Sequence, residues 1–168
     1  MATASPVNRT WIASELVKLV AIERALADGA RARADSPPDP SLGVVYGEIA
    51  AADERHVAAI ETIATRYGHT PTLGVGGGVG EALGRLKEKV GELGSGPLDR
   101  LARDLAAKAE ATHWLVAWVG TLQALGDDAS AREVAAVLAE EQRHRDALQA
   151  GLNGLVEAVA RGAGDIPK

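Results

Sequence analysis

Proline and glycine cut this chain into four long stretches, and each stretch repeats its apolar residues at the three- and four-residue spacing of one helix face. The first is predicted to run from about Thr10, as its N-cap, to Ala30, ahead of "RADSPPDPS", whose three prolines forbid further helix. The second runs from about Ser41 to Tyr67 and stops at "GHTP", where a glycine is followed by a proline. After "TLGVGGGVG" comes a short helix, Glu81 to Leu93, and then "GSGP". The third long helix runs from Pro97, favoured in a first turn, to Leu125, and the fourth from Ser130 to Arg161, with "SARE" as a capping box. Short first and last connections around a long middle one predict an all-α, up-down-down-up four-helix bundle with a short extra helix in its crossover. The glycine run Gly74 to Gly80 is linker: no strand precedes it, and no Lys-Ser/Thr follows as a phosphate cradle requires.

The composition fits this reading. Hydrophobic residues make up 46% of the chain, drawn mostly from Ala, Leu and Val, with no Phe and one Met, which suits close helix packing better than a sheet. At 168 residues the chain is predicted to be a single domain, with residues 1–9 and 162–168 as tails. The absence of cysteine excludes disulfides, thiolate zinc sites, iron–sulfur clusters and a thiol nucleophile, so any metal must be held by oxygen and nitrogen. A net charge of −5, with Lys and Arg scattered among acids, argues against nucleic acid as a partner. The first residues carry no secretory pattern and the longest apolar run, Trp114 to Leu122, is too short to cross a bilayer, so a cytoplasmic protein with no membrane partner is expected.

Chemistry enters where charged residues fall on apolar stripes. A helix turns about 100° per residue, which places Glu23 among Ile12, Leu16, Leu19 and Leu26 on the first helix. On the second, Asp53 and His56 fall within the stripe of Ile49, Ile60, Ile63 and Tyr67, while Glu54 points away. On the fourth, Glu141 lies at the centre and His144 at the flank of Val134, Leu138, Leu148, Leu152 and Val159. An ionised carboxylate in a dry core costs several kcal/mol unless a cation meets it. Acid-x-x-His places both groups on one face a turn apart, the spacing that di-iron and di-manganese bundles use in pairs. Three of the four histidines follow an acid by three residues, in "DERH", "EATH" and "EEQRH", and the fourth, His69, lies in a turn. Glu23, Asp53, His56, Glu141 and His144 are therefore the candidate metal ligands. Lys108 and Arg145 also fall on inward stripes and offer the alternative, a buried network of Lys/Arg to Asp/Glu pairs without metal.

"HWLVAWVGTLQALG", His113 to Gly126, followed by "LAEEQRHRDAL", is similar to the ferritin-like bacterial stress proteins of the YciF type, whose third helix typically reads HYEIAxYGTL and whose fourth carries a double Glu. The likeness extends more weakly to Glu23, His56, "GHTP" and the crossover helix. It implies a rubrerythrin-like four-helix bundle, often dimeric, with a dinuclear site. One departure stands out: the family's third-helix Glu ligands fall at Thr112 and Leu115, of which one is a poor ligand and the other none. Glu110 and His113 are the reserve ligands on that helix, but they lie off its stripe of Leu101, Leu105, Thr112, Leu115 and Val119, so the helix must rotate to bring them in.

The expected protein is thus a ferritin-like metal binder, holding iron or manganese in a dinuclear or degraded mononuclear site, with a role in oxidative stress or iron-related redox chemistry. If it is an enzyme, it is an oxidoreductase of ferroxidase, peroxidase or oxygenase type, drawing electrons from an external donor because it lacks a cysteine-bound iron of its own. The alternative is a metal-free stress or scaffold bundle. Because the third helix is apolar almost all round, a homodimer through Trp114 and Trp118 is expected, with packing inside one chain as the competing account of both rings.

Overall fold

The computed structural model describes residues 6–70 and 96–162, in which the chain forms four long helices and, among the described residues, no strand. They are α1 (Pro6–Asp35), α2 (Gly43–Arg66), α3 (Pro97–Ala124) and α4 (Asp128–Ala160), with a short 3₁₀ turn, Pro40–Leu42, leading into α2. The short helix expected at 81–93, the glycine run 74–80 and the outermost residues 1–5 and 163–168 lie outside the described residues.

Capping chemistry fixes the ends. α2 and α3 close alike. Gly68 takes φ +97° and Gly126 φ +74°, and the next residue's amide reaches back five positions, from His69 to the Ala64 carbonyl and from Asp127 to that of Leu122. Only glycine adopts that left-handed conformation at little cost, so each "G" in "GHTP" and "LGDD" acts as a stop. Three boundaries differ from the sequence expectation. α1 begins at Pro6, ahead of Thr10, since proline is tolerated in a first turn. It also continues past Ala30 to Asp35, where Pro37 and Pro38 end it. The cap of α4 is Asp127, whose carboxylate accepts from the Ser130 amide, so Ser130 is a buried helical residue rather than the start of a capping box.

α1 packs most extensively on α2, and α3 on α4. Arg24 pairs with Glu61 and Arg31 with Glu54, so α1 and α2 run antiparallel. Between the two hairpins, Arg33 Nε meets Asp104 (3.1 Å) and Trp11 stacks near Trp118 (6.5 Å between ring centres) across α1 and α3. Arg66 meets Glu133 (2.7 Å), and Leu42 packs against Gly151, across α2 and α4.

The core consists of apolar layers around one polar layer. One layer gathers Ile12, Leu16, Leu19, Ile60, Ile63, Leu115, Trp118, Leu122 and Val134. The other gathers Ala30, Tyr46, Ile49, Leu101, Leu105 and Leu148. On every helix the charged residues fall between these two sets: Glu23 on α1, Asp53 and His56 on α2, Lys108 on α3, Glu141 on α4. Each buried Leu or Ile contributes roughly 1.5–3 kcal/mol, and the two layers together offset a band of buried charge that would be untenable alone.

Trp118 is only 6% exposed, packed in this chain's own core, so the expected interface through Trp118 gives way to internal packing. Trp114, one turn earlier and about 40° round the helix, is 47% exposed. Val137 rather than Leu138 is the buried residue of that turn of α4, and Val159 is exposed near its end. No described helix is long and apolar enough to cross a membrane.

Candidate metal centre

Glu23, Asp53 and Glu141 are fully buried and His56 is nearly so, and one ligand atom from each lies within 4.8 Å of the others. Four of the five residues singled out as ligands are thus brought to one place, each by its position on an apolar stripe. The fifth, His144, sits at the margin: its Nδ1 is 3.7 Å from Glu141 Oε1 and 3.9 Å from Asp53 Oδ1, its side chain is 16% exposed, and its ring centre is 6.2 Å from that of His56.

Lys108 enters the same space. Its Nζ lies 2.7 Å from both Asp53 oxygens and 2.7 Å from Glu141 Oε1, so all three ammonium protons have acceptors. The bundle keeps this cation charged: burial would lower the ammonium pKa, but Glu141 and Asp53 raise it. Arg145, the other expected cation, instead lies toward Asp146 with its side chain 41% exposed. The third helix therefore faces the cluster with Lys108 and Thr112, and Thr112 Oγ1 is spent on the Lys108 carbonyl one turn back (2.8 Å). His113 is exposed and the structure does not bring it, or Glu110, to the cluster.

The opposite side of the cluster is unpaired. Neither oxygen of Glu23 has a hydrogen-bond partner, nor do His56 Nδ1, Glu141 Oε2 and His144 Nδ1, all buried. His56 Nδ1 approaches Glu141 Oε1 (3.3 Å) and Glu23 Oε2 (3.4 Å), close electrostatic neighbours whose alignment is not that of a hydrogen bond. Its Nε2 lies 3.0 Å from Glu140 Oε2. A proton held at Nε2 by that carboxylate leaves the Nδ1 lone pair facing the cluster, the carboxylate–histidine arrangement that orients imidazoles toward metals. Glu140 was missed as a functional residue in the sequence; the signal was the adjacent pair of acids in "AEEQ", of which only Glu141 falls on the stripe.

Crowding shifts the titration of the cluster's members in opposite directions. Burial raises the Glu23 pKa, and Glu141 adds to the effect against the pull of His56. Burial likewise pushes Asp53 up to about 8, with Lys108 opposing and Glu141 assisting. His56 would be depressed by burial, but Glu141, Glu23 and Glu140 push it up to about 10. Glu141 goes the other way: burial would raise it, yet the imidazoles of His144 and His56 and the Lys108 ammonium hold it well below the usual carboxylate range. Three buried carboxylates and one ammonium leave two negative charges, which either two protons or one divalent ion neutralise.

The residues therefore form a buried cluster of carboxylates and imidazole that could hold a metal. Its donors are oxygen and nitrogen, the set that suits manganese, iron or zinc. No family model, curated protein or solved structure matches the chain.

Proposed function

We propose that this chain is a ferritin-like metal-binding bundle with one divalent transition-metal ion in its polar layer. Glu23, His56 and Glu141 hold the ion, Asp53 shares in it through lone pairs not taken by Lys108, and His144 lies at its edge. The observation that carries this reading is a group of five buried atoms without hydrogen bonds that lie in one cluster: both oxygens of Glu23, His56 Nδ1, Glu141 Oε2 and His144 Nδ1. Unsatisfied buried polar groups each cost about 1–3 kcal/mol, more when charged, and a folded protein carries several together where something else completes them.

The up-down-down-up arrangement belongs to the same proposal. It is supported by Arg33 with Asp104 and Trp11 with Trp118, which set α1 against α3 in opposite directions, and by Arg66 with Glu133 and Leu42 with Gly151, which do so for α2 and α4. Such a centre, when it holds iron or manganese, supplies redox or Lewis-acid chemistry. The chain's own residues bind the ion, exclude water with the two apolar layers and hold the imidazole in register through Glu140. A role in oxidative stress or iron-related redox chemistry, with an external electron donor, is the extension this centre suggests.

The second reading rests on Lys108, whose three short contacts already satisfy much of the layer. In it, protons on His56 and on Glu23 or Asp53 complete the charge balance and the bundle acts as a metal-free scaffold. Elemental analysis separates the two: protein loaded with Mn²⁺ or Fe²⁺ and desalted should retain about one ion per chain, lost in Glu141→Ala, whereas less than about 0.2 per chain retires the metal reading.

A further inference from the structure

We propose that Lys108 fixes the metal content of this bundle at one ion by standing, as a permanent internal cation, where a second ion would bridge Asp53 and Glu141. The inference rests on the metal-binding reading above and concerns a different residue and a different quantity.

Glu141 accepts from Lys108 at Oε1, and its Oε2 has no hydrogen-bond partner. Asp53 meets the same ammonium with both oxygens at 2.7 Å. The imidazoles face these oxygens at longer range: His56 Nδ1 lies 3.3 Å from Glu141 Oε1 and 3.7 Å from Asp53 Oδ1, and His144 Nδ1 lies 3.7 Å and 3.9 Å from them. Lys108 therefore already joins Asp53 to Glu141 as one cation, while Glu23, Glu141 Oε2 and both imidazole Nδ1 atoms are left without a hydrogen-bond partner.

Nothing else on α3 can serve a second ion. Thr112 turns its hydroxyl to the Lys108 carbonyl, Leu115 is buried in the apolar layer, and His113 is exposed. Lys108 itself is 3% exposed, on a stem walled in by the core, so the head group has no route to solvent that keeps its charge satisfied. A second divalent ion would meet a fixed positive charge in a medium of low dielectric, where repulsion is strong. Charge counting agrees: with Lys108 the three carboxylates match one divalent ion, and with a carboxylate in its place four would match two.

The test loads wild-type chain and Lys108→Glu with Mn²⁺, counts ions by native mass spectrometry and records the electron paramagnetic resonance of each. The expected result is one magnetically isolated Mn²⁺ in the wild type and two spin-coupled ions in Lys108→Glu. Two ions in the wild type, or a folded Lys108→Glu that holds one or none, overturns the inference while leaving the metal reading to stand or fall on the wild-type count. A wild type with no ion retires the metal reading and the inference with it, whatever Lys108→Glu holds. Should circular dichroism show Lys108→Glu unfolded, Lys108→Gln serves: losing the competing charge should tighten Mn²⁺ binding about tenfold, and binding equal to or weaker than that of the wild type overturns the inference.

Discussion

Glu23 and Asp104 are both carboxylates set between helices of the same bundle, Asp104 with 24% of its side chain exposed, and the chain treats them in opposite ways. Asp104 accepts from the Tyr46 hydroxyl at 2.6 Å and from Arg33 Nε at 3.1 Å, so a phenol and a guanidinium from two other helices converge on one oxygen. Glu23, deeper and wholly excluded from solvent, receives no hydrogen bond at either oxygen. The fold thus furnishes donors to a partly buried acid and none to a fully buried one. Asp104 fastens α1, α2 and α3 together, while the role proposed for Glu23 is to meet a cation.

The largest effect expected from this contrast is on metal content. Glu23→Leu removes the unpartnered carboxylate and should weaken Mn²⁺ binding more than about a hundredfold, while raising the stability of the metal-free chain by about 1–3 kcal/mol, because a leucine in place of a poorly satisfied charge suits the layer better. Asp104→Ala should do the reverse. It leaves the Tyr46 hydroxyl, buried beside the apolar layer, without an acceptor and should cost about 1–3 kcal/mol with metal content unchanged. Urea melts of the metal-free proteins, together with metal titrations, measure both. If Glu23→Leu proves as destabilising as Asp104→Ala, the contrast collapses and Glu23 is a structural acid.

A smaller effect is expected at Glu140, which touches the candidate centre only through His56 Nε2. Its side chain is 34% exposed, so its loss should leave the fold intact. Glu140→Ala frees the imidazole to turn and to change which nitrogen carries its proton. Mn²⁺ affinity should fall by about tenfold, at the low end of what such outer carboxylates contribute. Titration of the variant at constant pH measures this, and an unchanged affinity would mean that core packing alone orients His56.

Much of this contrast was legible in the residues alone. Glu23, Asp53, His56 and Glu141 stand out because helical phase is a sharp ruler for side chains too short to turn away, whereas Arg145, also on an inward stripe, swings its longer stem out toward Asp146. The acid-x-x-His spacing, by contrast, is blind to phase, and Glu110 with His113 has the same spacing as Asp53 with His56 yet does not join the cluster. Periodicity also placed Lys108 inward as a possible partner for the buried acids, but which of them it meets, Asp53 on α2 and Glu141 on α4, depends on how far each pair of helices slides. Trp118 was misassigned to an interface for a related reason: on a helix apolar all round, the stripe that wins the core is chosen by its neighbours, here the layer around Ile12, Ile60 and Val134. The cap of α4 was displaced because "GDDAS" contains several residues fit to cap, and Asp127 takes the role as soon as Gly126 has turned the chain.

The smallest effect reads the protons that stand in for the ion. His56 is pushed up to about 10 from an ordinary 6.5, Asp53 to about 8 from 3.8, and Glu23 moves the same way. Between each pair of values the folded chain binds a proton that the unfolded chain has released, so stability falls as pH rises through that window. Glu141 is shifted downward, and its contribution is already complete above the ordinary carboxylate value and constant here. The metal-free chain should therefore lose thermal stability between about pH 6.5 and pH 10, by about 5 °C in Tm if a couple of kcal/mol are at stake. Metal binding displaces the same protons, so the loaded chain should keep a flatter Tm over that interval and bind its ion more tightly as pH rises. Scanning calorimetry at pH 6.5, 8 and 9.5 with and without Mn²⁺ compares the two states directly. A metal-free Tm that holds level or climbs across the interval would mean that protons do not balance the charge beside Glu23 when the ion is absent, and would overturn this account of the metal-free layer.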